Sequence, residues 1–416
     1  MMLRGPAARC ALFAAMMRFS CAQAGVWGVD PSFGLVGDYS TNAQLLNVPH
    51  TSDTDGALLL SAPTSYNGNA VALFVTPSFR ISNSPGYSSV TSDYEHLTVK
   101  GEFDTERDVL TASAVLAQDS SLYYDYLTDG GIGVRRDSWV ADLNWDRKLT
   151  ERMEFDTDAT STDVHYAEGN GIPTLTDYKY TSLSPTLAWN SSERGKLTVA
   201  ASVGLYQAID GSTSSRNANL QAGFVRQLTE IWSLTSSAGY SRANNRLNAE
   251  TERLEFTPNG PEIVLVPLTL QSTQNGTVYS VALSRKGERL SLNATASRQL
   301  AATGFEYLSL QNSVELSANY TYSDRLSFGS DVRYLKSQTP EQFASSQTSA
   351  PTLVNQSVTP KFFSLSANWR WTEHWTATLS ASYVTEVYTP PTPSIHVSSS
   401  ELSITLSRQF DHIKFQ

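Results

Sequence analysis

Five carboxylates on two neighbouring predicted strands are the clearest chemical feature of this sequence. In the segments 136–149 and 151–164 every second side chain falls on one face, because side chains alternate across a strand. That face carries Asp142, Asp146, Glu154, Asp156 and Asp158. Acids gathered in this way create a negative potential that attracts cations, and two of them could act as a general acid/base pair. Binding along a passage is the predicted role.

Basic side chains at inward positions of other strands offer a purely structural alternative. Lys100, Lys179, Arg333 and Arg370 could form salt bridges with the five acids across a wet interior. Lys100, Arg333 and Arg370 therefore join the five acids as candidate binding residues that line the lumen.

Catalytic and metal-binding motifs are weak by comparison. The six histidines have neither the spacing on a strand nor the i,i+4 spacing on a helix that a metal site favours. The sequence has no Gly-x-Ser-x-Gly elbow and no glycine-rich phosphate loop. We predict no enzyme, no metal and no cofactor, although a Ser/His/acid triad assembled in space on a barrel wall stays open as an alternative.

The elements that must position these residues are strands, because the apolar pattern has a period of two. In 314–322 large or apolar residues alternate with polar ones, and the same holds in 363–371. Such alternation is typical of strands with one apolar and one polar face. Small hydroxyl and amide side chains dominate the polar face, which suits a hydrated neutral solute and equally any water-filled interior.

The connections between these strands alternate between short turns and long loops. Short polar turns such as 148–152, 228–231 and 372–374 share a hydroxyl residue followed by an acid, which can bond free turn amides. Longer stretches such as 119–135 and 245–273 lie between them. Eight turns and nine loops require about eighteen strands.

The pattern predicts an all-β fold, an up-and-down antiparallel transmembrane β-barrel of the Gram-negative outer-membrane type. About eighteen strands are expected, with sixteen as the alternative. A soluble sandwich, β-helix or propeller would not place polar side chains inside and apolar ones outside. The last strand alternates well, but its terminal aromatic is either Phe410 or the penultimate Phe415.

The N-terminus indicates where the protein resides, and the composition restricts its partners. Residues 1–24 have the charged start, apolar run and small-residue end of a cleaved signal peptide, so we expect 25–416 to form a single barrel domain. Cleavage removes both cysteines and three arginines, which takes the net charge from -10 to -13. This acidity argues against a nucleic-acid partner.

Segments near the N-terminus resemble those of a family of outer-membrane β-barrels found with exopolysaccharide and exosortase gene clusters. Residues 27–33 and 37–42 are similar to the first strand of that family. The stretches 94–97, 105–107 and 119–122 are similar to its third hairpin. The resemblance implies an eighteen-stranded barrel that serves polysaccharide export or envelope biogenesis, and it carries over no catalytic residues.

The functional hypothesis is therefore a conduit in the bacterial outer membrane, with both chain ends in the periplasm. Exopolysaccharide or a related glycan is the cargo that the resemblance implies. A general or sugar-selective diffusion porin and a structural barrel with a plugged lumen are the alternatives. A long, inward-folded, charged loop would favour the porin, and 245–273 is the candidate. Expected partners are outer-membrane lipid and lipopolysaccharide, a glycan or small hydrophilic solute, the barrel-assembly machinery and, for export, a periplasmic protein.

Overall fold

A computed structural model describes eleven segments of the chain. They are residues 25–42, 52–83, 94–120, 135–167, 176–257, 260–302, 308–338, 342–345, 351–354, 357–389 and 395–415. The expected signal peptide, 1–24, lies outside them. No helix among the described residues is long and apolar enough to span a membrane.

All regular structure in these segments is strand. The first strands are β1 (Val26–Val29), β2 (Ser32–Ser40), β3 (Asp53–Ser61), β4 (Thr64–Asn67), β5 (Val71–Asn83), β6 (Tyr94–Asp104), β7 (Asp108–Ser120) and β8 (Arg135–Lys148). Next come β9 (Met153–Tyr166), β10 (Tyr178–Ser192), β11 (Gly195–Ala208), β12 (Thr213–Gln227), β13 (Trp232–Thr257), β14 (Gly260–Lys286), β15 (Leu290–Ala302) and β16 (Leu308–Ser323). The last are β17 (Leu326–Gln338), β18 (Gln342–Ser345), β19 (Pro351–Val354), β20 (Ser357–Arg370), β21 (Trp375–Thr389), β22 (Ile395–Gln409) and β23 (Ile413–Phe415).

The strands form one closed antiparallel barrel. Each wall strand pairs with the next along the chain, and β2 pairs with both β3 and β22, which closes the ring. Three wall strands are each interrupted once and so consist of two numbered strands: β1 and β2, β3 and β4, and β22 and β23. Counted in this way, the wall has eighteen strands. Strands β18 and β19 pair only with each other. The predicted fold class and strand number are confirmed.

Prolines explain two of the interruptions in the wall. Pro31 separates β1 from β2, and Pro63 separates β3 from β4; neither can donate a backbone hydrogen bond to the ladder. The two breaks meet at the closing seam, where Asp30 N donates to Pro63 O at 2.9 Å and Phe410 N donates to Pro31 O at 2.9 Å. Beyond the break β23 pairs with β1, so the final strand reaches Phe415 and joins the ring up to the penultimate residue.

Short turns join the wall strands at one end of the barrel, and the longer connections lie at the other. We call the two halves of the wall the turn half and the loop half. In the turns the hydroxyl bonds a free backbone amide, as predicted. Thr229 Oγ1 accepts a hydrogen bond from Trp232 N at 3.1 Å, and Thr150 Oγ1 accepts one from Met153 N at 3.0 Å. The hydroxyl residue therefore closes these turns.

The segment 245–273 is not a loop, which corrects the sequence-based expectation. Strands β13 and β14 remain paired from Trp232 with Arg285 up to Thr257 with Gly260. The period-two pattern runs through the polar residues there, so the two strands extend well past their neighbours. The charged side chains expected to mark an inward loop, between 250 and 262, lie outside the described side chains.

Candidate functional site: the lumen

The predicted faces are confirmed along the wall. Large apolar side chains such as Leu143, Leu187, Leu316 and Leu365 are exposed on the outer surface. Their polar neighbours in sequence point inward, since successive residues of a strand face opposite sides. The interior is therefore polar, and the site must be sought there.

The five predicted acids, which we call the acidic stripe, lie on neighbouring inward positions of the turn half. Asp146 is paired with Asp156 across the β8–β9 ladder, and Asp158 is paired with Asn144. Asp142 lies further along the same face. Two carboxylates placed directly opposite repel each other, so the wall holds this charge at a cost to its own stability.

Polar side chains hold most of the acidic stripe without neutralising it. Asn144 Nδ2 donates to Asp158 Oδ1 at 2.8 Å and to Asp156 Oδ2 at 3.3 Å. Thr160 Oγ1 donates to Asp142 Oδ1 at 2.8 Å. In the described part of the chain no cation lies within ion-pair distance of Asp142, Asp146, Asp156 or Asp158. Their charge is therefore available to a solute.

Glu154 is the member of the stripe that has a cationic partner. Lys196 Nζ donates to Glu154 Oε2, and Asn190 Nδ2 donates to Glu154 Oε1 at 3.2 Å. Lys196 was not among the predicted cations. Register explains the contact, because Lys196 is paired with Asn190 on the neighbouring strand and faces the same interior.

The four cations expected to bridge to the stripe lie elsewhere. Lys100 Nζ is 3.6 Å from Glu102, and Arg333 Nε is 2.9 Å from Asp331. Lys179 shares the outer face with Leu183 and contacts Asp163 at 3.3 Å, so its predicted inward position is wrong.

Arg370 is exposed at the end of β20. The structure gives it no ion pair with the described acids. The predicted salt bridges across the lumen do not form, because each of the other three cations has an acid close to it on its own or an adjacent strand.

The loop half of the lumen differs sharply from the turn half, because its inward side chains are buried. These buried residues lie on strands all around the wall: Asp55, Ala57, Asp119, Arg136, Val164, Tyr178, Tyr206, Ala208, Thr213, Ser215, Asn217, Ser241, Ala243, Val278, Ser337, Glu386 and Val397. In the turn half Asp146 and Asp158 are exposed. The interior is thus filled toward the long loops and open toward the short turns.

Two buried ion-pair groups lie in the filled half. Arg80 contacts Asp38 at 2.6 Å and Asp55 at 3.0 Å, and all three side chains are at most 13% exposed. Arg136 Nε contacts Asp119 Oδ1 at 2.9 Å, and this aspartate is fully buried. Sequence reasoning missed both groups. Their signal was a charge at an inward position of a strand, and the turn-half acids share that signal.

A third group, which we call the tyrosine cluster, consists of Val164, Tyr178, Tyr206 and Leu308. Val164 is paired with Tyr178, whose ring stacks on Tyr206 with centroids 5.3 Å apart. Leu308 begins β16, and it packs against these rings although four wall strands, β12 to β15, separate β11 from β16.

The contact requires the loop end of the β15–β16 hairpin to reach across the interior. Leu300 and Ala302 near that end of β15 pack against the same cluster. Leu308 is 0% exposed and Tyr206 is 1% exposed. The hairpin end and the tyrosines are therefore packed together in the loop half.

The outer face carries the features of a lipid-facing surface. Exposed aromatic rings form two rows, one near the turns that includes Trp189, Trp369 and Trp371, and one toward the loops that includes Trp139 and Tyr240. Aromatic girdles around an apolar band mark the two interfaces of a bilayer. The chain is a transmembrane β-barrel.

Several solved structures are similar to this chain. No protein-family model and no curated protein matches the sequence. Among solved structures, the ferric citrate transporter FecA in its unliganded form is similar at 9% identity, with a TM-score of 0.48 and coverage of 92% of this chain and 78% of that one.

Two further structures resemble the barrel at a similar level. The outer membrane protein OpdK from Pseudomonas aeruginosa is 10% identical, with a TM-score of 0.44 and coverage of 92% of this chain and 99% of that one. OccAB3 from Acinetobacter baumannii is 11% identical, with a TM-score of 0.43 and coverage of 93% and 99%.

Several histidines of the described segments lie beside acids. No group of three His, Cys, Asp or Glu side chains in the described segments could hold a metal ion. His165 lies between two acids, with Nδ1 2.9 Å from Asp177 and Nε2 3.2 Å from Asp163. Both ring nitrogens therefore face carboxylates, and neither is placed to activate a hydroxyl nucleophile.

Proposed function

We propose that this protein is a diffusion porin of the bacterial outer membrane that passes small hydrophilic solutes and prefers cations. The long loops would lie outside the cell, and both chain ends would lie in the periplasm. The carrying observation is the acidic stripe, whose Asp142, Asp146, Asp156 and Asp158 face the open half of the lumen without a cationic partner. A barrel of this strand number is wide enough for an aqueous channel.

The division of the lumen supports passage of small solutes. The open turn half would form a periplasmic vestibule, and the tyrosine cluster with Leu308 would set the narrowest point. Carboxylates in the vestibule raise the local concentration of cations and lower that of anions. Amide and hydroxyl groups beside them, such as Asn144 and Thr160, can bond a hydrated solute.

Exopolysaccharide export is the finer function that the sequence resemblance implies, and it makes a different demand. A glycan chain needs a continuous wide path, whereas the hairpin end at Leu308 packs against the rings of Tyr178 and Tyr206. The filled loop half also supports a third reading, a structural barrel with a plugged lumen. The buried groups around Arg80 and Arg136 are the observation that favours that reading.

Conductance and solute flux distinguish these three functions. Folded protein in planar bilayers should give discrete cation-selective channels, and vesicles that contain it should swell in small sugars but not in long oligosaccharides. Passage of oligosaccharide would overturn the small-solute porin in favour of export. A folded barrel that neither conducts nor swells would be the plugged, structural form. Heat-modifiable migration on a gel confirms folding in each case.

A further inference from the structure

The outer face of the wall is charged unevenly in the loop half. Between β6 and β10 that face mixes acids with bases, and Arg135 lies 4.0 Å from Asp137 while Lys179 lies 3.3 Å from Asp163. Between β12 and β20 the described outer side chains of this half include cations but no carboxylate. These cations are Arg216, Arg242, Arg246, Arg298, Lys336 and Lys361.

Three of these cations lie together, and we call them the arginine triad: Arg216, Arg242 and Arg246. Arg216 is paired with Asn244 across the β12–β13 ladder, and the other two arginines lie two residues before and after that asparagine. Diagonal neighbours on one face of a sheet have Cβ atoms roughly 5–8 Å apart. Three arginines therefore share one patch of the outer wall.

The centre of the patch is polar and offers donors. Asn244 Oδ1 accepts a hydrogen bond from Thr273 Oγ1 at 3.0 Å, which leaves the amide nitrogen of Asn244 as a donor. All three arginines are exposed, and no acid lies within ion-pair distance of them in the described part of the chain. Arg246 uses only Nε, in a bond to Asn248 Oδ1 at 3.2 Å.

The patch lies at the edge of the apolar belt. Tyr240, 55% exposed, lies two residues before Arg242 on the same face, and Leu220, 61% exposed, lies four residues after Arg216 toward the turns. Side chains just beyond the aromatic row meet the lipid headgroups and not the acyl chains. A ligand for the triad must therefore be anionic and lie at headgroup depth.

We infer that the arginine triad binds the phosphate groups of lipid A, the membrane anchor of lipopolysaccharide. Guanidinium groups bond phosphate oxygens in a bidentate manner, and several at one site match a ligand with more than one phosphate. The inference rests on the orientation proposed above, which places the long loops and this patch at the outer leaflet, where lipopolysaccharide resides. Arg298, Lys336 and Lys361 continue the positive surface around the wall and would contact neighbouring headgroups.

Binding of purified lipid A to the folded barrel in detergent, followed by native mass spectrometry, tests this site. The variant R216Q/R242Q/R246Q should bind lipid A about a hundredfold more weakly, from roughly fivefold per arginine. The control R135Q/R147Q/K179Q removes the same charge from the outer faces of β8 and β10 and should keep the wild-type affinity. Heat-modifiable migration verifies that both variants are folded.

Three outcomes would overturn the inference. They are unchanged lipid A affinity in the triad variant, equal loss in the control variant, and equal binding of dephosphorylated lipid A or of phosphatidylglycerol by the wild type. Conductance in bilayers that lack lipopolysaccharide is measured separately. A barrel that fails to conduct yet binds lipid A through the triad would refute the porin and leave the lipid site intact.

Discussion

The two halves of the lumen carry similar residue types in different surroundings. In the loop half, Arg80 and its partners Asp38 and Asp55 are buried, and each carboxylate contacts the same cation. In the turn half, Asp146 faces Asp156 with no cation between them, and the Lys196–Glu154 pair is about one-third exposed. Buried charge requires a partner, whereas hydrated charge does not. The first half is therefore suited to hold the barrel closed, and the second to attract a solute.

The largest expected effect follows from breaking the buried group. Arg80→Met leaves Asp38 and Asp55 without their shared cation in a buried site, so unfolding should become easier by about 3–5 kcal/mol. Lys196→Met in the open half is the matched control and should cost less than about 1 kcal/mol. Urea unfolding in lipid vesicles measures both. Equal losses would show that the two halves do not differ in hydration.

The second-largest effect is expected at the tyrosine cluster, which we propose sets the narrowest point of the lumen. Leu308→Ala removes a fully buried side chain from the tyrosine cluster, which should cost about 2–5 kcal/mol and raise single-channel conductance. Leu316→Ala lies on the outer face of the same strand and should leave conductance unchanged. Wild-type conductance in the Leu308 variant would place the narrowest point elsewhere.

The third effect concerns the acidic stripe in the open turn half of the lumen. The variant D142N/D146N/D156N/D158N keeps side-chain size and removes the negative potential, so the cation-over-anion permeability ratio should fall about tenfold. Reversal potentials in a salt gradient measure the ratio. Asp137→Asn on the outer wall serves as the control. If cation selectivity persists in the variant with all four substitutions, the proposed role of the acidic stripe is wrong.

The smallest effect is expected at a turn. Thr229→Ala removes the acceptor for the backbone nitrogens of Ile231 and Trp232 and should cost about 1 kcal/mol of stability. Glu230→Ala, in the same turn, should cost less because the hydroxyl closes the turn. Urea unfolding in vesicles compares the two variants. A larger loss of stability in the Glu230 variant would show that the acid, and not the hydroxyl, stabilises the turn.

Much of the wall was predictable, because period-two alternation depends only on neighbouring residues. It placed Asp142 and Asp156 inside and Leu143 and Leu316 outside, and the structure exposes both leucines on the wall. The same pattern failed at Lys179, where polar residues near the loop end occupy both faces. It also failed at 245–273, where a polar sequence still forms paired strands.

Contacts across the interior could not be predicted from spacing. Leu308 and Tyr206 are about a hundred residues apart, and nothing local states that a hairpin end on one side reaches a ring on the other. The partners of Arg80 are 42 and 25 residues away, on β2 and β3, and they come together through the β2–β3 and β3–β5 pairings.

The sequence by itself determined the strands, their inward and outward faces, the turn chemistry and the cluster of acids, since each depends on residues close together in the chain. Tertiary structure decided which charges are neutralised and where the lumen is filled. Closing eighteen strands into a ring brings distant side chains together, and the depth of each along the wall sets whether it meets water, lipid or another part of the protein.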